Sequence, residues 1–310
     1  SAHNVYVDLF CPSLVTSPLH PLPPHIHTHS CAATAKPSNL AVEDLPASQA
    51  EELRQSVENY YGEVLQKTED LKTSACCTAV APPPIMRTIL SKVPEEVISK
   101  YYGCGSPFPL GIEGLRVLDL GCGSGRDCYA CAALVGPSGS VTGIDMTSSQ
   151  LAVAEKYKDT YCTNTLGYPT TNLTFVKGRI ENLKDAGIQD DSIDLIISNC
   201  VINLSPNKAS VLKEAYRSLA TGGEMYFSDV YCDRRLPESV RVHPVLLGEC
   251  LGGALYVEDF IRMARSVGFM DPRVLSSNTI DVLDPELAPL LGEAKFYSIT
   301  YRLFKVPGRI

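Results

Sequence analysis

The sequence predicts an α/β protein with a doubly wound, Rossmann-like sheet of mainly parallel strands. Three observations lead to this prediction: apolar runs alternate with amphipathic runs over residues 115–231, a glycine-rich turn follows the first apolar run, and an acidic residue follows the second. Strands that alternate with helices in this way build a parallel sheet covered on both faces. We expect strands at 116–120, 140–144, 173–177, 193–198 and 223–228, and helices at 126–135, 148–161 and 208–219.

The first 45 residues differ in composition from the rest of the chain. Residues 1–45 hold all but one of the six histidines, together with several prolines, and show no helical or strand periodicity. We expect a disordered leader here. The closely spaced imidazoles of His20, His25, His27 and His29 leave metal chelation open as an alternative.

A helical N-terminal segment is expected over residues 46–114. A capping-box pattern starts a first helix at Ser48, and apolar residues recur with helical spacing after it. A loop with Cys76 and Cys77 follows, and a second amphipathic helix is expected over 85–102. The sequence therefore predicts two helices ahead of the parallel sheet.

The remaining chain divides into two predicted domains. Residues 115–235 are expected to form the Rossmann-like, cofactor-binding domain, and residues 236–310 a smaller α+β domain that caps the substrate side. Within the second range, helical patterns cover 239–251 and 257–267, and a strand–helix–strand pattern ends at 298–304.

Composition limits the classes of function. The 310-residue chain has 45% hydrophobic and 20% charged residues, which is typical of a globular protein. Its net charge of −8 argues against nucleic acid or an anionic membrane as a partner. Neither a long apolar span nor an export signal is visible, so we expect a cytoplasmic protein. In that compartment its twelve cysteines are expected to be reduced thiols, available for ligation or redox chemistry.

The glycine-rich turn after the first strand predicts a nucleotide-type site. Gly121, Gly123 and Gly125 follow Asp119 where the strand gives way to a helix, and Asp145 ends the next strand. Glycines at this point let a ligand approach the backbone, and the second acid can accept both hydroxyls of a ribose. The spacing G-x-G-x-G differs from the dinucleotide pattern G-x-G-x-x-G. NAD binding and a turn without a ligand remain alternatives.

Three cysteines are candidates for one site with soft ligands. Cys200 follows the fourth strand, so its thiol is expected to open into the cleft at the carboxyl ends of the strands. Cys104 lies in a glycine-flanked turn before the domain, and Cys250 lies in the region after it. Either segment could fold over the same rim. Burial as small hydrophobic side chains is the alternative.

Several motifs together resemble the arsenite S-adenosylmethionine methyltransferases, which are class I methyltransferases. They stand in order between residues 59 and 305: YYGCG at 101–105, GRDCY at 125–129, SNCVINL at 198–204, FSDVY at 227–231 and GECLGGALY at 248–256. The resemblance implies the seven-stranded Rossmann-like fold of that class and S-adenosylmethionine as cofactor. Val257 departs from the pattern, because an aromatic residue is often found there.

The resemblance also implies roles for individual residues. Cys104, Cys200 and Cys250 would hold trivalent arsenic, and Cys76 would take part in thiol–disulfide cycling with an external reductant of the glutathione or thioredoxin type. The adjacent Cys77 leaves open which of the two thiols acts. The expected cofactor-binding residues are Tyr102, Asp119, Gly121, Gly123, Asp145, Met146, Ile180, Glu181 and Asn199.

The expected chemistry is methyl transfer to trivalent arsenicals, which gives mono- and dimethylated products. Arsenic(III) is soft and pyramidal, so three thiolates suit it and leave a lone pair that can attack a methyl group. Two alternatives remain: a class I methyltransferase of another small molecule with structural cysteines, and a non-catalytic metalloid-binding protein. The sequence leaves open the number of transfers, the preference among arsenite, organoarsenicals and antimony, and the oligomeric state.

The other cysteines are expected to have structural roles. Cys128 and Cys131 lie three residues apart on an apolar helix, where packing is favoured over a zinc or redox pair. Cys122 lies in the glycine turn, which needs a small side chain. The cysteines treated as incidental are Cys11, Cys31, Cys162 and Cys232.

Overall fold

An eight-stranded mixed sheet forms the centre of the protein. The structure is a computed structural model that describes residues 47–65, 82–105 and 107–306, all within one compact unit, Ala41–Ile310. The strands run in chain order as β1 (Arg116–Leu120), β2 (Ser140–Asp145), β3 (Leu173–Lys177), β4 (Ile193–Asn199), β5 (Leu219–Cys232), β6 (Leu255–Tyr256), β7 (Arg273–Ile280) and β8 (Phe296–Phe304). The predicted leader, the Cys76–Cys77 loop, Cys11 and Cys31 lie outside the described residues.

Helices connect the strands and cover the sheet. In chain order they are α1 (Ala47–Asn59), α2 (Pro84–Leu90), α3 (Glu95–Ser99), α4 (Arg126–Val135), α5 (Ser148–Thr160), α6 (Lys208–Ser218), α7 (Glu238–Arg241), α8 (Pro244–Gly248), α9 (Val257–Val267) and α10 (Ala288–Leu291). Single turns of π-helix extend α1 over Tyr60–Val64 and α5 over Tyr161–Thr165, and a 3-10 turn spans Ile202–Leu204. None of the described helices is long and apolar enough to cross a bilayer.

The strand order is β3-β2-β1-β4-β5-β8-β7, and the short β6 pairs with β5 beside this path. Strands β1 to β5 pair in parallel, whereas β8 is antiparallel to both β5 and β7. The chain direction across the sheet reverses between β1 and β4, and this switch point opens a crevice at the carboxyl ends of the strands. The predicted Rossmann-like fold with a path of seven strands is confirmed.

The central strands are apolar on both faces because helices cover both. Side chains alternate along a strand, so Val117 and Leu195 belong to the core that includes α4, whereas Leu118 and Ile196 belong to the core that includes α6 and α9. All four side chains are buried. This double burial explains why these strands read as continuous apolar runs in the sequence.

Two helices that were expected to be continuous are broken at prolines. The stretch 85–102 divides into α2 and α3, and Pro94 lies directly before α3. The stretch 239–251 divides into α7 and α8, and Pro244 is the first residue of α8. Proline lacks an N–H and clashes with the preceding turn, so it starts a helix but does not continue one. Helix α1 begins at Ala47, so Ser48 lies inside its first turn.

The strands of the range 236–310 join the central sheet, although a separate C-terminal domain was expected there. Strand β8 pairs with β5 along nine residue pairs, from Glu224–Phe304 to Cys232–Phe296, and β7 then pairs with β8. Strand β5 is longer than predicted. Without β8 beside it, β5 would expose a row of unpaired backbone groups. The C-terminal strands therefore complete the sheet, and α7, α8 and α9 remain as the insertion between β5 and β7.

Candidate functional site: a cofactor cleft beside three cysteines

A cavity of about 970 Å³ lies at the carboxyl ends of the parallel strands. It is at the switch point between β1 and β4, where sheets of this type bind ligands. The wall includes Cys200 and all nine residues expected to bind the cofactor: Tyr102, Asp119, Gly121, Gly123, Asp145, Met146, Ile180, Glu181 and Asn199. Residues scattered over 98 positions of the sequence thus share one wall, and their contact with a cofactor stays a prediction.

The glycine turn packs closely against the end of β2. The N–H of Gly121 donates to the carbonyl of Ile144 at 2.8 Å, and that of Gly123 donates to Oδ2 of Asp145 at 2.8 Å. Gly121 has a positive φ of 67°, and a Cβ there would meet Val201 Cγ2 at 2.7 Å. Only glycine fits this position without strain.

The Asp145 carboxylate is held in one orientation at the rim of the cavity. Its Oδ1 accepts the N–H of Thr147 at 2.8 Å, and its Oδ2 accepts the N–H of Gly123. Burial raises the pKa of Asp145 above its usual value, while these backbone N–H groups oppose the shift.

Asp119 is the most deeply buried of the acidic residues in the cavity wall. Its Oδ2 accepts a hydrogen bond from the Cys128 thiol at 3.2 Å, which ties β1 to α4. Burial, and then the nearby charge of Asp127, raises the pKa of Asp119 well above its usual value. This carboxyl therefore links β1 to α4 and also forms part of the cavity wall.

The end of α1 covers the cavity and contacts the segment that holds Cys250. Arg54, Val57 and Tyr61 contribute to the cavity wall. The Tyr61 carbonyl accepts from Nε2 of Gln150 at 3.1 Å, and its hydroxyl donates to the carbonyl of Gly248 at 2.7 Å. Helical spacing placed Val57 and Tyr61 on the apolar face of α1, but nothing in the sequence indicated which surface that face covers.

A polar cluster around Asn199 joins the cavity wall to the Cys104 turn. The Asn199 side chain accepts the N–H of Gly105 at 3.1 Å and donates to the Gly105 carbonyl at 3.0 Å. It also donates to Asp127 Oδ2 at 3.0 Å and lies 2.6 Å from the Tyr101 hydroxyl. The Tyr101 ring stacks beneath the guanidinium of Arg126, 3.7 Å from the ring centroid. Tyr102 was among the expected cofactor-binding residues, whereas Tyr101 was not predicted.

Cys104, Cys200 and Cys250 come together beside the cavity. Cys104 and Cys200 form a disulfide bond, and the thiol of Cys250 donates to the carbonyl of Cys200 at 3.0 Å. All three side chains are buried in one cluster. The Cys104 carbonyl accepts from Ser298 on β8 at 2.9 Å, so the added C-terminal strand also supports this cluster.

Two of these cysteines have backbone angles that are unusual for their residue type. Cys200 has a φ of 57° and Cys250 a φ of 64°, both in the left-handed region. Residues other than glycine adopt this region only where surrounding contacts hold them there, and such residues cluster at functional sites. Cys200 directly follows β4 and Cys250 lies just after α8, so both strained positions are in the cysteine cluster.

Comparisons with known proteins agree with the geometry. A family model described as a methyltransferase domain matches residues 112–268. Arsenite methyltransferases from Aquipseudomonas alcaligenes and Homo sapiens are 56% and 50% identical to the chain, over 83% and 82% of its length and 73% and 68% of theirs. The chain belongs to the arsenite methyltransferase family. The resemblance that the motifs indicated is therefore confirmed, and the protein is a methyltransferase.

A solved member of the family has the same fold. The crystal structure of an arsenic(III) S-adenosylmethionine methyltransferase from Chlamydomonas reinhardtii is 66% identical in sequence, with a TM-score of 0.72. The match covers 74% of this chain and 76% of that chain.

A buried carboxyl close to Cys200 and Cys250 was not predicted from the sequence. Asp229 on β5 accepts the N–H groups of Asn203 at 3.1 Å and Val230 at 2.8 Å. Burial raises the pKa of Asp229 to about 7 and lowers the pKa of the nearby Lys208 to about 8. Asp229 lies within FSDVY at 227–231, one of the motifs behind the resemblance, so that motif was a signal that could have drawn attention to it.

The remaining described cysteines lie within the packed interior. Cys128 and Cys131 are fully buried on α4, and burial raises the pKa of both thiols well above the usual value. Burial also raises the pKa of Cys122 to about 11. The Cys162 thiol donates to Asn172 at 3.4 Å. These are the surroundings of packing residues, in which a thiol is a weak nucleophile.

Proposed function

We propose that this methyltransferase transfers methyl groups from S-adenosylmethionine to thiolate-bound arsenic(III), giving mono- and dimethylated arsenicals. The observation that carries the proposal is the position of Cys200. This residue lies in the wall of the large cavity and, at the same time, in contact with Cys104 and Cys250. Cofactor and thiol-bound substrate would therefore meet at one side chain.

The cavity wall fits the proposed cofactor in its polar groups. The Asp145 carboxylate lies in the cavity wall, where it can accept hydrogen bonds from ribose hydroxyls. Gly121 and Gly123 leave space beside the backbone for the amino-acid end. When bound, S-adenosylmethionine supplies an electrophilic methyl group on a sulfonium.

The three cysteines would hold the substrate through their sulfur atoms. Three thiolates match the pyramidal geometry of arsenic(III) and leave its lone pair directed away from the ligands. That lone pair forms the new bond to carbon, so no proton has to be removed and no general base is required. The main contribution of the protein is then to hold the two reactants in line. The hydrogen bonds between Asn199 and Gly105 and from Ser298 to Cys104 support that arrangement.

Methyl transfer formally oxidises arsenic to the pentavalent state, so two electrons must be returned before the next transfer. Two thiolates can each give one electron and join in a disulfide, which restores trivalent arsenic. Cys104 and Cys200 lie close enough to form such a bond. An external thiol of the glutathione or thioredoxin type would then reduce the disulfide and release both thiols. Cys76 is proposed, on the family resemblance, to relay electrons in this step.

Two other functions make different predictions. Methylation of a carbon, oxygen or nitrogen substrate needs no soft ligand, so activity would survive replacement of Cys200. A non-catalytic metalloid-binding protein would bind arsenic with no dependence on the cofactor and would yield no methylated product. The convergence of three buried cysteines at the cavity favours methylation of arsenic over both.

The direct test separates arsenic species after reaction. The protein is incubated with arsenite, S-adenosylmethionine and glutathione, and the products are resolved by chromatography with elemental detection. We expect mono- and dimethylated arsenic from the parent and from Cys162→Ser, a buried thiol outside the cluster, and neither product from Cys200→Ser. Absence of methylated arsenic from a parent protein that binds the cofactor would overturn the proposal.

The role of Cys76 is tested by comparison with its neighbour. We expect Cys76→Ser to slow repeated turnover while it spares tight binding of trivalent arsenicals, and Cys77→Ser to change neither. The product progression over time is measured with a limiting thiol. An unchanged progression for Cys76→Ser would count against the relay.

A further inference from the structure

We infer that the reduced protein has a binding site for Zn²⁺, formed by Cys200, Cys250 and Asp229. The two sulfur atoms and a carboxylate oxygen lie within 4.8 Å of one another. All three side chains are buried, and they come from three different parts of the fold: the end of β4, the segment after α8, and β5. The site goes beyond methyl transfer, because it needs neither arsenic nor the cofactor.

The donor set suits zinc better than it suits arsenic. Two thiolates and one carboxylate combine soft and hard ligands, and zinc accepts both in tetrahedral sites, whereas arsenic(III) favours sulfur alone. Neighbouring donor atoms in a tetrahedral zinc site are about 3.3–3.8 Å apart, as bond lengths of about 2.0–2.3 Å require. Side-chain rotations that shorten the separations by about 1 Å would therefore bring the three atoms to binding distance.

Asp229 is fixed in place with acceptor capacity to spare. Its two oxygens accept the N–H groups of Asn203 and Val230, one on each oxygen. A carboxylate oxygen has a second lone pair, so a metal ion can bind while both hydrogen bonds persist. Hydrogen bonds to the ligating carboxylate are the support that zinc sites usually have.

The charges around the cluster also balance for a divalent ion. Two thiolates and a carboxylate carry three negative charges, so Zn²⁺ leaves one negative charge in a buried place. The ammonium group of Lys208 is positioned to balance it, since Lys208 interacts electrostatically with both Asp229 and Cys250. A buried, uncompensated charge would otherwise be strongly unfavourable.

Zinc binding requires the disulfide to be open. Reduction of the Cys104–Cys200 bond consumes two electrons and two protons from an external reductant, and it yields two thiols. Zn²⁺ then displaces the thiol protons of Cys200 and Cys250 to the solvent. Cys104 becomes a free thiol in the same step. Zinc and trivalent arsenicals share thiols, so each is expected to exclude the other.

The test measures metal affinity in the absence of arsenic and of the cofactor. The full chain is reduced with a phosphine, and Zn²⁺ is titrated in competition with a chromophoric chelator. Cd²⁺ serves as a second probe, because thiolate-to-cadmium charge-transfer absorption reports sulfur ligands and is silent for histidine. We expect Asp229→Asn to weaken this site by roughly tenfold or more, which corresponds to about 1.4 kcal/mol. We expect Cys250→Ser to lower its cadmium absorption, because one of the thiolate ligands is lost.

The matched control is Cys232→Ser. Cys232 is a buried thiol beside another aspartate, with its sulfur 3.7 Å from Asp233 Oδ1. It packs in the same buried cluster but is not one of the three donor residues. We expect Cys232→Ser to bind both metals like the parent, and protein with the Cys104–Cys200 bond intact to lack this site. Thermal unfolding and binding of a trivalent arsenical report whether Asp229→Asn is folded. If it is unfolded, Cys250→Ser and the oxidised protein decide the question.

Parent-like zinc affinity in folded Asp229→Asn would overturn the inference, and so would parent-like cadmium absorption in Cys250→Ser or in the oxidised protein. Neither result would bear on arsenic methylation. Conversely, zinc binding as expected, without methylated arsenic from the parent, would leave this site intact and overturn the proposed function.

Discussion

The side-chain amide of Asn199 binds both backbone polar groups of Gly105. Its oxygen accepts the Gly105 N–H at 3.1 Å, and its nitrogen donates to the Gly105 carbonyl at 3.0 Å. Because Asn199 precedes Cys200 and Gly105 follows Cys104, this pair of hydrogen bonds holds the two cysteines next to each other. The wall of the cofactor cavity and the thiol cluster are thus connected through one amide.

Replacement of Asn199 by alanine should therefore separate the two cysteines. The Gly105 N–H is only partly buried, so loss of its partner in Asn199→Ala should lower stability by about 0.5–1.5 kcal/mol, the usual contribution of one hydrogen bond. We also expect the Cys104–Cys200 disulfide to form about tenfold more slowly on mild oxidation. A tenfold lower rate corresponds to an activation free energy that is higher by about 1.4 kcal/mol. The control is Asn172→Ala. Like Asn199, Asn172 donates to backbone carbonyls that are distant from it in sequence, those of Ala132 and Gly136. Equal oxidation rates in both variants would show that the amide does not position the cysteines.

Gly105 should not tolerate a side chain. A Cβ at this position would overlap Oγ and Cβ of Ser228, and overpacking of this kind costs typically about 1–3 kcal/mol. Gly105→Ala should lower the melting temperature and reduce arsenical binding. Gly62→Ala is the matched control, because a Cβ there would make ordinary contacts at 3.5 Å and 3.6 Å. Arsenical binding in Gly105→Ala that equals the control would contradict this account of the turn.

Cofactor binding should depend on the ionisation of Asp145. Burial raises the pKa of this carboxyl, so the free protein keeps the carboxyl proton to a higher pH than an unfolded chain does. As pH rises through the window between the unfolded and the folded pKa, the carboxyl therefore contributes less to the stability of the fold. A bound ribose needs the ionised form, so binding should release a proton within the window and weaken as pH falls. Calorimetry of S-adenosylhomocysteine binding in buffers of different ionisation enthalpy measures the release. Asp145→Asn should bind more weakly and lack this proton; the same release in both proteins would refute the assignment.

Tyr61 should steady the segment that carries Cys250. Its hydroxyl donates to the carbonyl of Gly248 at 2.7 Å, so Tyr61→Phe should lower stability by about 1 kcal/mol. We expect Cys250 to react faster with a thiol reagent in this variant. Tyr168→Phe removes a comparable hydroxyl contact, to Ala132 at 3.3 Å, in a part of the fold without these cysteines. The labelled residue is identified by mass spectrometry, and Cys250 labelling at the parent rate in Tyr61→Phe would count against the contact.

Local pattern was enough to predict the parallel half of the fold. Strands β1 and β3 and helices α4 and α9 have the expected bounds, because each is short, strongly patterned and ended by glycine or a turn. The prediction of two continuous helices was wrong at Pro94 and Pro244, because proline cannot continue a helix even where apolar residues keep helical spacing. The pairing of β8 with β5 was missed because strand partners far apart in sequence are set by tertiary packing and not by local pattern.

The candidate site was predictable where it depends on strand ends and on motifs. Asp119, Asp145 and Asn199 lie at the carboxyl ends of parallel strands, so the fold alone brings them to one cavity. Tyr101 and Asp229 were missed because their importance comes from partners distant in sequence. The partner of Tyr101 is Asn199, and Asp229 lies beside Cys200 and Cys250. A single sequence carries no signal for such pairs.

Arsenic K-edge X-ray absorption tests the central claim most directly. Reduced protein receives one equivalent of arsenite, and the atoms bound to arsenic are counted. The account predicts three sulfur neighbours and no oxygen in the parent, and two sulfurs with one oxygen in Cys104→Ser, Cys200→Ser and Cys250→Ser alike. An oxygen ligand in the parent spectrum, or three sulfurs that persist in any of the three variants, would contradict it.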